Sequence, residues 1–495
     1  MRRTAVFAAL LSLNLASCRE PATTAPPPEP TRLDTATPAP TETSPPPTAL
    51  PTAAPIAFYR LRVDFTTTSD WTVLVLRPPE TFLTTRLVET RGDPSTAQPG
   101  IPETDLFQSL DNANAGRRIG LTADFALDAA GPAASLNLLI EKGHIGTSVA
   151  RLSVLAGNEE IPLGEFVHQG VVPNPDERNA RAFEIDLAPL AVLAPEVSGA
   201  GEARFPRLLW AFYYPWYTRQ DWSSPWLRDV PAEPYASADR TTMERHVRQA
   251  KEAGIDGFIS SWWGPHDRTD DNLRTLLKVA QEEDFLVTIY FETLASEGGL
   301  PRDEIVRWLT YLLKTYGDHP AFARLDGKPV VVFWATDPVP LDTWGEAFET
   351  VREEGLDFFA LGMSYSPSYL DVFDGLHQYG IFNIPNLEQV LITAGNAVRH
   401  YGLLNDSPPK LWAATVQPGY DDRLLPDRRG GQVQARANGD VYRRTWNAAL
   451  ASDPDWILVT TWNEWWEHTH IEPSQEFGGL YLEITREYAD AWRGN

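Results

Sequence analysis

Strand-like and helix-like hydrophobic patterns alternate along the chain from about residue 205 onward. Short apolar runs predict buried strands, and apolar positions at three- and four-residue spacing predict amphipathic helices. Strands are predicted at Leu208–Tyr213, Gly257–Ser261, Leu286–Phe291, Val330–Trp334, Phe358–Met363, Gly375–Phe382, Leu411–Val416 and Trp456–Thr461. Helices are predicted at Thr241–Ala253, Asn272–Glu283, Asp303–Tyr316, Leu341–Glu354, Leu387–His400, Val433–Ala451 and Glu476–Trp492. This alternation predicts an α/β fold, a (β/α)₈ TIM barrel, with a doubly wound sheet as the alternative.

Residues 56–200 carry a different pattern, in which alternating or β-branched runs are separated by turn residues. Such runs recur at Tyr59–Phe65, Trp71–Leu76, Ile119–Phe125, Leu136–Ile140, Ser148–Leu155 and Ala182–Ile185. Several short strands without long helices predict a small β-sandwich-like accessory domain before the barrel domain at 205–495. We interpret it as a spacer or packing partner, with glycan binding as the alternative, because no cluster of Trp marks a binding face.

The first residues, 1–18, have the pattern of a bacterial lipoprotein signal peptide. Arg2 and Arg3 precede an apolar run from Ala5 to Leu15, which is too short to span a bilayer as a permanent helix. The run ends in Leu-Ala-Ser-Cys, a lipobox-like sequence, and Cys18 is the only cysteine. The pattern predicts lipidation of Cys18 and anchoring at the outer face of a bacterial membrane, with an ordinary secretory signal as the alternative.

Composition narrows the classes of partner. Residues 19–55 are rich in Pro and Thr and predict a disordered, extended stalk. The formal net charge of −25 opposes binding to nucleic acid or to anionic lipid head groups. The chain also has 17 Trp, whose flat apolar faces stack on sugar rings. An oligo- or polysaccharide is therefore the expected partner, whereas membrane contact is expected only through the lipid anchor and the oligomeric state stays open.

Candidate binding residues follow the C-terminal ends of the predicted barrel strands. The active site of this fold is built at that end of the barrel. Aromatic side chains offer platforms for sugar rings, and carboxylates supply acid–base chemistry. The candidates for substrate binding are Tyr214, Trp216, Trp262, Trp263, His266, Glu292, Tyr365, Tyr420, Asp421, Asn463, Trp466 and His468.

Two carboxylates after the eighth predicted strand, Glu464 and Glu467, form the candidate catalytic pair. Glycoside cleavage needs a proton for the leaving oxygen and assistance at the anomeric carbon, and two carboxyl groups with separated pKa values divide these roles. On a helical turn, residues at this spacing share one face, with Cβ atoms about 5–6 Å apart. Such pairs are also common on solvated helices, but the flanking Trp residues argue for a desolvated site.

Four segments together resemble glycoside hydrolase family 99 and its relatives: Tyr213–Tyr217, Trp262–Gly264, Pro418–Asp421 and Trp462–Pro473. That family contains endo-acting α-mannosidases and α-mannanases, together with related domains from polysaccharide clusters. The resemblance covers about 205–495 in order and does not extend to the β-rich domain. It implies a retaining hydrolase of α-linked, α-mannoside-like glycans that uses no metal and no organic cofactor.

The resemblance also implies roles for individual residues. Glu464 would act as the base toward the 2-hydroxyl of the substrate, and Glu467 would be the general acid/base. The oxygen of the substrate would attack the anomeric carbon and form a 1,2-anhydro sugar, which water then opens with net retention. Glu292 would contact the substrate, and Tyr365 would face it.

One departure from the family pattern keeps other functions open. His468-Thr469-His470 stands where Gly-Thr-Gln usually follows the second Glu, and a histidine beside Glu467 can change its pKa or crowd the subsite. With acidic residues nearby, the histidines also suggest a metal-dependent hydrolase. A non-catalytic glycan-binding lipoprotein and a polysaccharide-assembly factor are further alternatives, although a pure binder has no need for two carboxylates.

Overall fold

The computed structural model describes residues 56–69, 72–77, 82–90, 106–110, 117–128, 135–156, 159–171, 179–192, 196–198, 205–295, 298–364, 367–405, 407–426, 428 and 430–494. The predicted signal peptide with Cys18, the predicted stalk and Tyr365 lie outside these residues. Within the described part, no helix is both long and apolar enough to cross a membrane.

Two antiparallel sheets form the N-terminal part of the described chain. Their strands are β1 (Ile56–Thr67), β2 (Thr72–Arg77), β3 (Phe82–Thr90), β4 (Leu106–Leu110), β5 (Arg117–Asp128), β6 (Ser135–Lys142), β7 (Ser148–Ala156), β8 (Glu159–His168), β9 (Asn179–Asp186) and β10 (Glu196–Ser198). One sheet has the order β3-β5-β1-β7-β8, with β10 beside β1, and the other has the order β4-β2-β6-β9. Alternate residues such as Leu61 and Val63 in β1 and Leu138 in β6 share one apolar core, so the sheets stack face to face.

The sandwich-like arrangement confirms the fold predicted for this part, but the prediction missed strands β3, β4, β8 and β10. Strand β8 shows why the pattern fails. Among the strands that the structure describes it pairs only with β7, and most of its residues are exposed or half-buried. It also contains Pro162 and Gly164, which are typical of edge strands and irregular positions. Ile161 and Leu163 alternate and pack against the apolar core, but two apolar residues around Pro162 are too short a pattern to predict a strand.

A closed barrel of parallel strands forms the C-terminal part. Its strands are β11 (Leu208–Tyr213), β12 (Gly257–Trp262), β13 (Leu286–Phe291), β14 (Lys328–Phe333), β15 (Phe359–Met363), β16 (Gly375–His377), β17 (Leu411–Val416) and β18 (Trp456–Val459). Each strand pairs in parallel with the next, and β18 pairs with β11 to close the sheet. The closure confirms the predicted (β/α)₈ barrel and excludes the doubly wound alternative.

Helices surround this barrel: α1 (Arg240–Glu252), α2 (Arg268–Glu282), α3 (Arg302–Tyr316), α4 (Leu341–Glu353), α5 (Leu387–Asn405), α6 (Asp440–Ala451) and α7 (Leu480–Arg493). The helix predicted from Val433 begins later, at α6. The reason is a short antiparallel ribbon, in which Val433–Gln434 pairs with Tyr420–Asp421. Gly439, with φ of 95°, then lies directly before the first helical residue. The sixth strand was also predicted too long, because it ends at His377.

Side chains of the barrel strands divide between two cores. Residues such as Trp210, Phe212 and Tyr290 fill the interior of the barrel, whereas Phe258 and Trp262 pack against the surrounding helices. Because parallel strands end at the same edge, the segments that follow them meet on one rim. That rim carries the candidate site.

Candidate active site

Both candidate catalytic residues lie on the turn that follows β18. Glu464 and Glu467 are buried, at 2% and 4% exposure. The two residues do not share one helical turn. The N–H of His468 donates to the backbone oxygen of Trp465 at 3.2 Å, and the positive φ of His468, 54°, ends this single turn. The turn nevertheless brings the two carboxyl groups close enough for the charge of Glu467 to raise the pKa of Glu464.

The Glu464 carboxyl has one satisfied and one unsatisfied oxygen. Its Oε1 accepts hydrogen bonds from the N–H of Trp466 at 3.1 Å and from the hydroxyl of Tyr217 at 3.3 Å. Its Oε2 is buried without a hydrogen-bond partner among the described residues. Burial, and then the charge of Glu467, raises the pKa of Glu464 well above its usual range. These contacts therefore favour the neutral acid at Glu464.

The Glu467 carboxyl has a different environment. Its Oε1 accepts hydrogen bonds from Nη2 of Arg428 at 2.9 Å and from the hydroxyl of Tyr420 at 3.5 Å. Arg428 also donates to the Tyr420 hydroxyl and to Asp422, the latter at 2.5 Å. Burial raises the pKa of Glu467, while the Arg428 guanidinium opposes that rise. The positive charge therefore favours the ionised form at Glu467 over the ionised form at Glu464.

Asn463 fixes the position of this turn relative to β11. Its Oδ1 accepts from the N–H of Tyr214 at 2.7 Å, and its Nδ2 donates to the backbone oxygen of Tyr214 and to the hydroxyl of Tyr235, both at 3.1 Å. The amide is fully buried. Asn463 is thus a structural clamp, and the substrate-binding role predicted for it is corrected on this geometry.

A second anchor lies at the far end of the turn. Glu472 accepts hydrogen bonds from the hydroxyl of Tyr235 at 2.9 Å and from Nε1 of Trp465 at 3.2 Å. Its other oxygen lies 2.8 Å from Nε2 of His246. Because Trp465 lies between the two candidate catalytic residues in sequence, this contact fixes the backbone that carries them.

The two histidines of the departure from the family pattern pack beneath Trp465. The ring of His470 stacks on Trp465 with a centroid distance of 3.7 Å. His468 packs beside His470 at 5.2 Å. Burial, and then the charge of Arg436, lowers the pKa of His468 to about 3. His468 is therefore neutral near physiological pH, and it packs with His470 rather than on the exposed rim where it was expected to bind substrate.

Asp229, His468 and His470 have ligand atoms within 4.8 Å of one another, which is the kind of group that the metal-dependent alternative requires. Arg436, however, lies in the same cluster. Its Nη1 is 3.2 Å from Nε2 of His470, and it also donates to the backbone oxygen of His470. Asp229 lies 3.5 Å from the same His470 nitrogen. A buried guanidinium already supplies the positive charge here, so the residues do not fit a metal cation.

Glu292 is a third buried carboxyl on the rim. Its Oε1 accepts from the hydroxyl of Ser261 at 2.6 Å, and Ser261 in turn accepts from Nε1 of Trp263 at 3.2 Å. Burial raises the pKa of Glu292 to about 8. Its charge would act on Tyr214, whose hydroxyl donates to the hydroxyl of Tyr379 at 2.7 Å. Glu292 therefore lies near Tyr214 on the rim of the barrel, the end of the barrel at which it was expected.

Three other residues predicted to bind substrate are less well placed to contact it. Trp262 is fully buried between β12 and the helices, where it cannot contact a substrate, so that prediction is corrected. His266 is exposed and packs on Tyr311 at 5.3 Å. The Asp421 carboxylate is held by Arg228 at 3.1 Å and by Arg423 at 2.7 Å.

The aromatic mouth contains the remaining candidates. Trp216, Trp263 and Trp466 are half-buried, so parts of their rings face solvent. Tyr420 is buried and stacks on Phe382 with a centroid distance of 3.9 Å. Tyr365 lies outside the described residues, so its expected position facing the substrate stays a prediction.

Arg428, the cation that contacts Glu467, is not among the residues that the sequence pattern predicts for the site. It lies in the loop between the two strands of the ribbon, where no periodic pattern predicts how the chain folds. The composition offers one signal: Asp422 and the Arg-rich stretch that follows are oppositely charged and lie close in sequence. That signal indicates an ion pair, but it does not identify Glu467 as the second partner.

A (β/α)₈ barrel with two buried carboxyl groups in unlike environments and an aromatic rim has the architecture of a glycoside hydrolase. Comparison with known proteins specifies the family. Residues 230–477, half of the chain, match the family model of glycosyl hydrolase family 99. The chain belongs to this family, as the resemblance of its motifs indicated.

Several characterised proteins are similar to this chain. Glycoprotein endo-alpha-1,2-mannosidase of Rattus norvegicus is 27% identical over 298 residues, which cover 52% of this chain and 62% of the relative. The enzyme of the same name from Mus musculus is 24% identical over 63% of this chain and 81% of its own length. The chain thus spans about three fifths of the rat relative. Among solved structures, a GH99 endo-alpha-mannosidase of Bacteroides thetaiotaomicron is 25% identical, with a TM-score of 0.50 over 58% of this chain and 97% of that one.

Proposed function

We propose that this protein is a retaining glycoside hydrolase that cleaves α-mannoside-like linkages within glycans. The observation that carries the proposal is the pair of buried carboxyl groups, Glu464 and Glu467, in unlike electrostatic environments on one turn. Membership in glycosyl hydrolase family 99 supports the reaction class, and the names of the similar proteins support an α-mannoside substrate. The aromatic mouth supplies surfaces on which sugar rings can stack.

The proposed chemistry has two steps. First, Glu464 accepts the proton of the substrate 2-hydroxyl while O2 attacks the anomeric carbon. The glycosidic C–O bond breaks, and Glu467 donates its proton to the leaving oxygen. In the second step, Glu467 accepts a proton from water as the water oxygen attacks the anomeric carbon of the 1,2-anhydro sugar. The C1–O2 bond breaks, and O2 takes its proton back from Glu464. Two inversions give net retention, and both carboxyl groups return to their starting states.

The contact between Arg428 and Glu467 adds a condition to this scheme. Arg428 favours the charge on Glu467 and leaves the proton on Glu464, the reverse of what the first step needs. We infer that substrate binding moves the proton: a 2-hydroxyl at the unpartnered Oε2 of Glu464 would stabilise its carboxylate, and a loosened Arg428 contact would let Glu467 take up the proton. The reverse assignment, in which Glu464 is the acid and Glu467 is the base, is the one that the Arg428 contact by itself favours.

The proposed location is the outer face of a bacterial membrane, through lipid on Cys18. The support is the sequence of residues 1–18, with its basic start, apolar run and lipobox-like end. The full-length chain should partition into detergent when expressed in a bacterial host, and Cys18→Ser should release it into the aqueous phase. Equal partitioning of both forms would exclude the thiol as the anchor.

Product analysis tests the hydrolase proposal. Residues 56–495 are incubated with a panel of α-mannans and other α-glycans, beside Glu464→Gln, Glu467→Gln and the control Asp303→Asn, which alters an almost fully exposed carboxylate on α3. Oligosaccharide release by the wild type and the control, but by neither Glu variant, would support the proposal. Binding without cleavage by the wild type would favour the glycan-binding alternative, and unchanged cleavage by Glu467→Gln would remove that residue from the mechanism.

A further inference from the structure

Aromatic rings lead from the buried Glu464 to the surface. The hydroxyl of Tyr217 donates to Glu464, and the Tyr217 ring lies 6.1 Å from the ring of Trp466. Trp466 is half-buried, and its ring lies 6.3 Å from that of Trp226. Trp226 is 44% exposed. The carboxyl pair and an exposed indole are therefore joined by a continuous series of aromatic contacts.

Trp226 stands out among the exposed residues of the described chain. The exposed large hydrophobic side chains there are Ile145, Val171, Trp226 and Val433. Ile145 and Val171 belong to the sandwich part, whereas Val433 lies in the ribbon and Trp226 lies on the loop that follows β11. Trp226 is the only exposed aromatic of this group, and an indole left in water next to a glycosidase-type site offers a flat face for a sugar ring.

Charged groups hold the Trp226 loop against the ribbon. Arg228 forms an ion pair with Asp421 at 3.1 Å, and Asp421 is the cross-strand partner of Val433. Arg423 binds the same carboxylate at 2.7 Å. The ion pairs fix the loop that bears the indole, and the guanidinium groups are hydrogen-bond donors of the kind that sugar hydroxyls need. An apolar platform edged by fixed polar groups is the usual composition of a saccharide subsite.

We propose that Trp226 and Trp466 form an additional subsite that binds a neutral pyranose unit of the glycan beyond the sugars flanking the cleaved bond. The inference rests on the proposed function and extends it to substrate length. The ring of the sugar stacks on the exposed indole of Trp226, and Trp466 connects this platform to the carboxyl pair. A subsite outside the buried centre favours extended oligosaccharides and cleavage within a chain.

Substrate-length dependence tests this subsite. The value of kcat/KM is measured on a minimal aryl α-mannobioside and on a longer α-mannan oligosaccharide, for the wild type, Trp226→Ala, Trp226→Phe and the control Val171→Ala on the sandwich. Loss of one stacking contact should lower kcat/KM of Trp226→Ala on the long substrate by about tenfold. The minimal substrate should be cleaved normally, and Trp226→Phe should retain most of the activity on both. Equal rates of wild type and Trp226→Ala on the long substrate, or equal losses on both substrates, would overturn the proposal.

Binding separates failure of the subsite from failure of the proposed function. If the wild type cleaves neither substrate, the hydrolase proposal fails, and migration of the same variants through a native gel containing α-mannan then decides on the subsite. Faster migration of Trp226→Ala than of the wild type and of Val171→Ala would support a saccharide subsite. Identical retardation of the wild type and Trp226→Ala would overturn it. Matching melting temperatures establish that the variants are folded.

Discussion

Arg428 donates a charge-assisted hydrogen bond from Nη2 to Oε1 of Glu467 at 2.9 Å, in a part of the site where both side chains are almost fully buried. The contact gives two neighbouring carboxyl groups unlike proton affinities. Burial raises the pKa of both carboxyl groups. The charge of Glu467 adds to the rise at Glu464, whereas the direct contact with Arg428 opposes the rise at Glu467. The proposed scheme requires this preference to reverse on substrate binding, before the first step, so we expect Arg428 to control the proton distribution of the pair.

Replacement of Arg428 is expected to move one limb of the pH–activity profile. In Arg428→Met the opposing charge is lost, so the pKa of Glu467 rises further above its usual range. If Glu467 is the general acid, the alkaline limb of kcat/KM moves to higher pH, because the acid stays protonated longer. Kinetics across the pH range measure the shift.

Two control variants accompany this prediction: one keeps the positive charge at position 428, and the other removes a positive charge at position 423. Arg428→Lys retains the positive charge and should move the limb less. Arg423→Met removes a half-exposed guanidinium that binds Asp421 and should leave the profile unchanged. Movement of the acidic limb instead would show that Glu467 works as a base and would reverse the proposed roles.

Glu292 should make folding less favourable as pH rises. Burial raises its folded-state pKa to about 8. A neutral carboxyl in the folded state loses relative stability above the unfolded pKa near 4.3, by about 1.4 kcal/mol per pH unit, until the folded pKa is reached. Glu292→Gln keeps an acceptor for Ser261 but does not ionise. Its stability advantage over the wild type should therefore be larger at pH 8 than at pH 5 in denaturant unfolding, and an equal difference at both pH values would argue against this shift.

Asn463 should contribute to stability through its three hydrogen bonds. In Asn463→Ala the N–H and oxygen of Tyr214 lose their partner in a fully buried environment, which is expected to cost about 2–4 kcal/mol in the free energy of unfolding. Activity should fall as well, since the turn bearing Glu464 loses its attachment to β11. Wild-type stability of Asn463→Ala would show that the hydrogen bonds of Asn463 do not stabilise the fold. Trp263→Phe, which removes one half-buried hydrogen bond, provides a milder comparison.

The Arg436 cluster leads to a prediction about metals. Because the guanidinium occupies the neighbourhood of His470, neither EDTA nor added Zn²⁺ should change the activity or the melting temperature of the wild type. In Arg436→Met the three potential ligands lose this positive neighbour, and Zn²⁺ should then raise the melting temperature. Inactivation of the wild type by EDTA, with recovery on adding Zn²⁺, would restore the metal-dependent alternative.

The barrel was predictable because its strands are short, wholly apolar runs separated by amphipathic helices, and several bounds agree to the residue, such as Leu208–Tyr213 and Leu411–Val416. The rim was predictable to the same degree, because strand ends locate it.

The direction of individual side chains was less predictable than the position of the rim. Trp262 follows Phe258 at an even spacing, so strand alternation alone could have assigned both to the helix-facing core.

Contacts made by loops were beyond such patterns. Arg428 reaches Glu467 across 39 positions of sequence. Arg436 reaches His470 in the same way, across 34 positions. Nothing in local composition determines how the ribbon folds back over the turn, since that depends on the closure of the barrel. The charge distribution of the site therefore had to come from the three-dimensional arrangement.

The central claim, retaining cleavage by the Glu464–Glu467 pair, is tested most directly by the anomeric configuration of the first product. Proton NMR follows the new reducing end during cleavage of an α-mannan oligosaccharide by the wild type and by Glu467→Gln. We expect the α-anomer to appear first and to mutarotate later, and we expect the variant to release no reducing end. Initial appearance of the β-anomer, or the same time course with Glu467→Gln, would contradict it.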